Sequence, residues 1–318
     1  MTPPTREELE AAYCWEADDH IPRRPAMSAF RRNARYHQAR WREASGHPIG
    51  TQPIAPKPGS SGVRFVGSRL PLAYAYQGGA NFVTSAALDA ARSRTAYVEA
   101  HQSFDHQRLW ADLLSSVALA FNLFGDLAAD LTRADRAVHS WFPDTPGRVS
   151  ELRFAHSPGW LDPVYLNSLR HFDTVFILEL DDGTRGIVAV DVKYHERNKP
   201  ETPRPENLAR YTEVAERSRA FAPDAIDTLK RRGDLCVAWL EHLLLHSMLQ
   251  HPDGGWTWGR YVVVHSAGNS DAVDACARYR AMLADETTFS AMPLEQLLDT
   301  GTLPGLAVAA LRDRYLFE

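Results

Sequence analysis

Cysteine is scarce in this chain. Cys14, Cys236 and Cys276 stand alone, with no paired spacing between any two. That excludes a disulfide framework and a thiolate zinc site, and it fits a reducing compartment. No apolar run approaches the roughly 18 residues that a membrane span needs. The first residues, Met-Thr-Pro-Pro-Thr-Arg-Glu-Glu, do not have the pattern of a secretory leader. Cytoplasm is therefore the expected location. An excess of positive charge is also missing: 35 Lys and Arg stand against 40 Asp and Glu, a net of -5. Any contact with nucleic acid must then use a local patch. Internal repeats and low-complexity tracts are absent. What the chain does have is 318 residues, 44% of them hydrophobic. That is ample for a sizeable core in one large domain or two modest ones.

Two apolar runs carry the clearest signal. His171-Phe172-Asp173-Thr174-Val175-Phe176-Ile177-Leu178-Glu179-Leu180 is followed by Asp181-Asp182-Gly183. Then comes Thr184-Arg185-Gly186-Ile187-Val188-Ala189-Val190-Asp191-Val192-Lys193-Tyr194. Both runs are rich in Val, Ile and Phe and read as strands. Asp-Asp-Gly reads as a three-residue hairpin loop, with Gly183 supplying the positive φ of a G1 bulge. Such a loop pairs Leu180 with Thr184. Counting outward, Asp173 faces Asp191, and Lys193 shares its face because side chains alternate with period 2. Valines at 188, 190 and 192 fill the other face. Like charges opposite each other destabilise a sheet, so two facing carboxylates ask for a cation. A hard divalent ion such as Mg2+ suits oxygen ligands. The plain alternative is an ion-pair network on a sheet face.

Elsewhere, residues 5–46 look helical and basic, with arginines at 23, 24, 31, 32, 35, 40 and 42 among Phe30, Tyr36 and Trp41. Residues 47–62 read as a Pro/Gly-rich loop. Residues 1–62 thus form a basic N-terminal segment with its linker, and 63–318 the core. Helices are expected over 80–100, 104–131, 206–220, 234–249, 271–284, 293–299 and 304–314. Further strands are expected over 150–155 and 260–266. The order predicts an α/β fold, a mixed sheet sandwiched by helices. His242 and His246 lie four apart beside Glu241, but a metalloprotease needs glutamate directly after the first histidine. They read as helix core. Gly59-Ser60-Ser61-Gly62 reads as linker, and Gly78-Gly79 lacks the context of a phosphate loop.

Asp173 followed after a hairpin by Asp191-Val192-Lys193 resembles the PD-(D/E)XK nuclease signature. The surroundings resemble a bacterial group of uncharacterised restriction-type endonucleases in that superfamily. The matching stretches are Arg40-Trp41-Arg42-Glu43 with Pro48-Ile49-Gly50, and Leu114-Ser115-Ser116 with Phe121-Asn122-Leu123-Phe124-Gly125. Val192-Lys193-Tyr194-His195-Glu196 and Arg210-Tyr211 complete them. There are departures. Phe172 stands in place of the signature's proline, which many members also lack, and Asp191 stands where the group often has Glu. Val237 and Leu240 occupy places that carry Gln and Arg in the group, which speaks against a catalytic or DNA-contacting role for that helix.

The resemblance implies a restriction-endonuclease-like mixed sheet flanked by helices, with an additional N-terminal helical region. It implies a DNA endonuclease dependent on Mg2+ or Mn2+. In that reading Asp173 and Asp191 hold metal, and Lys193 offsets charge growing on the phosphate. Glu196 orients Lys193 or acts from behind the metal; its plain alternative is a helix-start charge. Arg40 and Arg42 are candidate phosphate contacts, against a solvated helix face. Tyr211 is a candidate substrate contact, against a core aromatic. A further acid is expected from an early helix or strand, with Glu151 and Glu99 as candidates. Two competing functions are a nucleic-acid-binding module without catalysis and a structural protein whose carboxylates bind Ca2+. Double-strand cutting would call for two active sites, so a homodimer is expected.

Overall fold

The computed structural model describes residues 3–16, 25–53, 62–196 and 200–317, with backbone alone for 25–28. Arg23, Arg24 and the run from Pro56 to Ser61 lie outside them. Five strands build the sheet: β3 (Arg148–His156), β4 (Phe172–Glu179), β5 (Arg185–Lys193), β6 (Trp256–His265) and β7 (Phe289–Pro293), in that spatial order. β3, β4 and β5 run antiparallel, whereas β5, β6 and β7 run parallel. Strands buried on both faces read as near-continuous apolar runs, and β4, β5 and β6 do so because helices cover both sides.

One face of the sheet carries Phe176, Leu178, Val188, Val190 and Val192. It packs on α5 (Ser116–Ala128), α6 (Leu131–Trp141) and α12 (Gly305–Tyr315). The other face carries Val175, Ile177, Ile187, Ala189 and Val263. It packs on α7 (Leu208–Ser218), α8 (Ala225–Arg231) and α9 (Cys236–Leu249). Before the sheet come α1 (Arg6–Ala11), α2 (Pro25–Ala44), α3 (Leu72–Gly78) and α4 (Ser85–Ala96). After β6 come α10 (Ser270–Arg280) and, following β7, α11 (Leu294–Asp299). The α2 helix docks on the C-terminal helix: Gln38 Nε2 donates to the Arg314 carbonyl at 2.6 Å.

Three expectations change. The helix expected over 104–131 breaks into a π-helical turn (Gln107–Ala111) and α5. Asp112 Oδ1 accepts from the Leu114 N–H at 3.1 Å, and Ser115 caps α5, so local side-chain bonds win over helix continuation. The Pro/Gly-rich stretch is flanked by a small antiparallel ribbon, β1 (Gly50–Pro53) with β2 (Val63–Val66). β7 lies outside the expected strands; five residues with little alternation give a weak period-2 signal.

Phe121-Asn122-Leu123-Phe124-Gly125 finds its role in packing. Asn122 Nδ2 donates to the Asn81 carbonyl and to the Tyr315 hydroxyl, and its Oδ1 accepts from the Val83 N–H. Gly125 lets α4 approach: a β-carbon there would lie 2.4 Å from Ala87 Cα. Gly125→Ala must push the two helices apart and should cost about 1–3 kcal/mol. A thermal melt checks this, and an unchanged midpoint would contradict it.

Candidate active site

The site begins with the loop. Leu180 N–H donates to the Thr184 carbonyl and Gly183 N–H to the Leu180 carbonyl, each at 3.0 Å. Gly183 has φ +79°, where a β-carbon would be strained. This closure sets the register from Glu179↔Arg185 to Thr174↔Val190. One step further puts Asp173 opposite Asp191. The two strands also meet through Asp173 itself, whose Oδ2 accepts from the Val192 N–H at 2.8 Å. Lys193 Nζ stands 2.6 Å from Asp191 Oδ2. All three acids and bases share the face of Val175, Ile177, Ile187 and Ala189, at the end where helix cover gives way to a cleft of about 690 Å³.

A fourth charged group comes from α9. Glu241 faces the strand pair, is 6% exposed, and lines the same cleft. Its Oε2 accepts from the Tyr261 hydroxyl at 2.8 Å, and its Oε1 lies 3.9 Å from the Arg170 guanidinium. Burial pushes the Asp173 carboxyl well up, and the Asp191 charge pushes it further. The same two causes raise Glu241. Burial also opposes charge on Asp191, but the Lys193 ammonium beside it and its other close neighbours outweigh that and pull Asp191 down. Burial disfavours the Lys193 ammonium, yet Asp191, Glu241 and Asp173 together hold it protonated. The lysine is therefore a fixed positive charge and a poor proton acceptor.

The donors suit a hard divalent ion. They are carboxylate oxygens, and buried Asp191 Oδ2 makes no well-aligned hydrogen bond. Among the described residues no three His, Cys, Asp or Glu side chains form a ready cage.

The family model of the PD-(D/E)XK nuclease superfamily matches residues 25–317. The chain belongs to the PD-(D/E)XK nuclease superfamily. No curated protein matches it, and no solved structure does. The five-stranded mixed sheet with its helices is the restriction-endonuclease-like fold expected from the sequence. Membership makes the protein a nuclease, a hydrolase of a class that generally uses divalent metal ions. No helix among the described residues is long and apolar enough to cross a membrane.

In this nuclease the expected site residues fall into two groups. Asp173, Asp191, Lys193 and Glu196 all line the cleft. Glu196 bridges two walls: it accepts from the Tyr194 N–H at 2.8 Å and from the Ser116 N–H at 3.2 Å, with Arg108 3.6 Å away. Burial raises its carboxyl, but His195, Ser116 and Lys193 outweigh that and lower it. Arg40, Arg42 and Tyr211 lie outside the cleft lining. Arg40 is exposed and pairs with Glu43 at 2.6 Å. Arg42 donates to the carbonyls of Gly67 and His47, tying α2 to β2 and to its own C-terminal turn. Tyr211 is buried on α7, hydrogen-bonded to Asn207, and borders a separate pocket of about 290 Å³. Glu99 binds Trp160 and Arg94, and Glu151 pairs with Arg153; neither lines the cleft.

Sequence reasoning missed Glu241, Arg170 and Arg108, and named Arg31 only as one of the arginines of the basic stretch. Val237 and Leu240 replace the polar residues expected on α9, yet its acid is one residue further on. A signal existed: Glu241 is the one acidic residue in a helix that is apolar nearly all round. Its neighbours His242 and His246 are core, as expected. His242 bridges Tyr279 and Thr288 at 3.0 and 2.9 Å. Burial holds His246 down at about 4 and His242 well below its ordinary value. An unfolded histidine binds its proton near pH 6.5. Between about pH 6.5 and 4 the unfolded chain takes up these protons first, so stability present at neutral pH falls across that window. His246→Gln should flatten the slope of melting temperature against pH there. An unchanged slope would contradict this reading.

Proposed function

We propose that this nuclease is a DNA endonuclease dependent on Mg2+ or Mn2+, with a restriction or other defence role in the cytoplasm. The facing carboxylates of Asp173 and Asp191, with the Lys193 ammonium beside them, are the observation that carries the reading. Asp173 and Asp191 would hold the ion, which supplies Lewis acidity at the scissile phosphate and lowers the pKa of water. Lys193 offsets the negative charge that grows on the phosphate as the phosphorus–oxygen bond breaks. Glu196 fixes the end of β5 against the start of α5, keeping Lys193 in place. Arg31 and Arg108, which line the cleft, would meet flanking phosphates, and exposed Arg40 would meet them outside it. A homodimer would bring two such sites to the two strands of a duplex.

The test uses unmodified and methylated phage DNA with Mg2+, beside Asp191→Ala and an RNA of matched length. The expected result is cutting of unmodified DNA alone, lost in the variant. Equal cutting of both DNAs would remove the restriction role. Cleavage of RNA alone would overturn the choice of DNA.

A further inference from the structure

A buried acid in an apolar helix needs an explanation. Around Glu241, α9 presents Cys236, Trp239, Leu240, Leu243, Leu244 and Leu245 to the core. A carboxyl placed there costs several kcal/mol unless it is paired and hydrogen-bonded, and a leucine would pack at no such cost. Its partners all come from the active-site side. Tyr261 lies on β6, opposite Ala189 of β5, and donates its hydroxyl to Glu241 Oε2. Arg170, just before β4, stands at Glu241 Oε1 and pairs outward with Glu201 at the cleft rim. Asp191 and Lys193 line the same cleft as Glu241. One side chain thus joins α9, β6 and the entry to β4 beside the ion pair of Asp191 and Lys193.

We propose that Glu241 is a positioning residue of this site, anchored by Tyr261 and Arg170 and holding Asp191 and Lys193 in their working geometry. The proposal rests on the nuclease reading of the cleft. Site groups perform only when the residues behind them lock their rotamers, and removing such a partner commonly costs about 10–100-fold in metal affinity or activity. Glu241→Ala should lose that much in Mn2+ affinity and in kcat on plasmid DNA, with KM for DNA nearly unchanged. Glu241→Gln keeps the shape and an acceptor for the Tyr261 hydroxyl, so it should recover most of both. Tyr261→Phe removes only the hydroxyl that anchors Glu241 Oε2, and should lie between wild type and Glu241→Ala.

The measurement is an Mn2+ titration followed by electron paramagnetic resonance, with steady-state kinetics on the same full-length proteins. Wild-type affinity and kcat in Glu241→Ala, with only a lowered melting temperature, would overturn the proposal. If Glu241→Ala does not fold, Tyr261→Phe decides alone: unchanged affinity and kcat in it would also overturn the proposal. If the wild type binds Mn2+ without cutting DNA, the nuclease reading fails by itself and the affinity series still decides on Glu241.

Discussion

Lys193→Ala is expected to lower the rate of DNA cleavage by about 100- to 1,000-fold, the usual loss when one preorganised electrostatic contact to the developing charge is removed. The reason lies in how the ammonium is held. It stands 2.6 Å from Asp191, and three acids together keep it charged despite burial. A fixed cation in a recessed site interacts far more strongly with a phosphate than one in water. Binding should survive, because phosphates away from the scissile bond meet other cations. Single-turnover cleavage in saturating Mg2+, beside a filter-binding assay in Ca2+, separates the two. Losing the ammonium also leaves Asp191 without its partner, so a melt must accompany the assay. Full cleavage by Lys193→Ala would contradict the role, as would a loss of binding that matches the loss of rate.

Asp173→Asn should be inactive and yet more stable than wild type in the absence of metal. Two carboxyls face each other across β4 and β5, and burial with the Asp191 charge raises the Asp173 carboxyl well above its ordinary value. An acid whose folded pKa is raised costs stability above its unfolded pKa. The cost is absent below about pH 4 and grows as pH rises toward the folded value. Asparagine keeps an oxygen for the Val192 N–H and removes the second carboxylate. A gain on the order of 1 kcal/mol at pH 8, vanishing near pH 4, is expected. Added Mg2+ should raise the wild-type melting temperature and leave the variant unmoved. A variant less stable than wild type at pH 8, or one that keeps its Mg2+ response, would contradict this account.

Much of the site was legible because its core is local. The loop Asp181-Asp182-Gly183 fixes the register, and the register alone brings Asp173, Asp191 and Lys193 together. Period-2 alternation then assigns their face. Glu241 was hidden for the opposite reason. It reaches the site through the packing of α9 on β5 and β6, a contact fifty residues removed from Asp191, and no local pattern encodes such packing. The basic N-terminal stretch misled in part: Arg42 is consumed by backbone carbonyls, whereas Arg31 on the same helix reaches the cleft. Asn122 and Gly125 show that a family-like motif can be structural. One ties three segments through its amide and the other allows α4 and α5 to touch. The break at Asp112 was missed because the apolar spacing continues across it, while side-chain hydrogen bonds of Asp112 and Ser115 stop the helix.

The most direct test is plasmid nicking by metal-stripped protein before and after Mg2+ is added, with Asp191→Ala in parallel. The prediction is no cutting without the ion, cutting with it, and none in the variant under either condition. Cutting by the stripped protein, or equal cutting by Asp191→Ala, would contradict a metal-dependent site built on Asp173, Asp191 and Lys193.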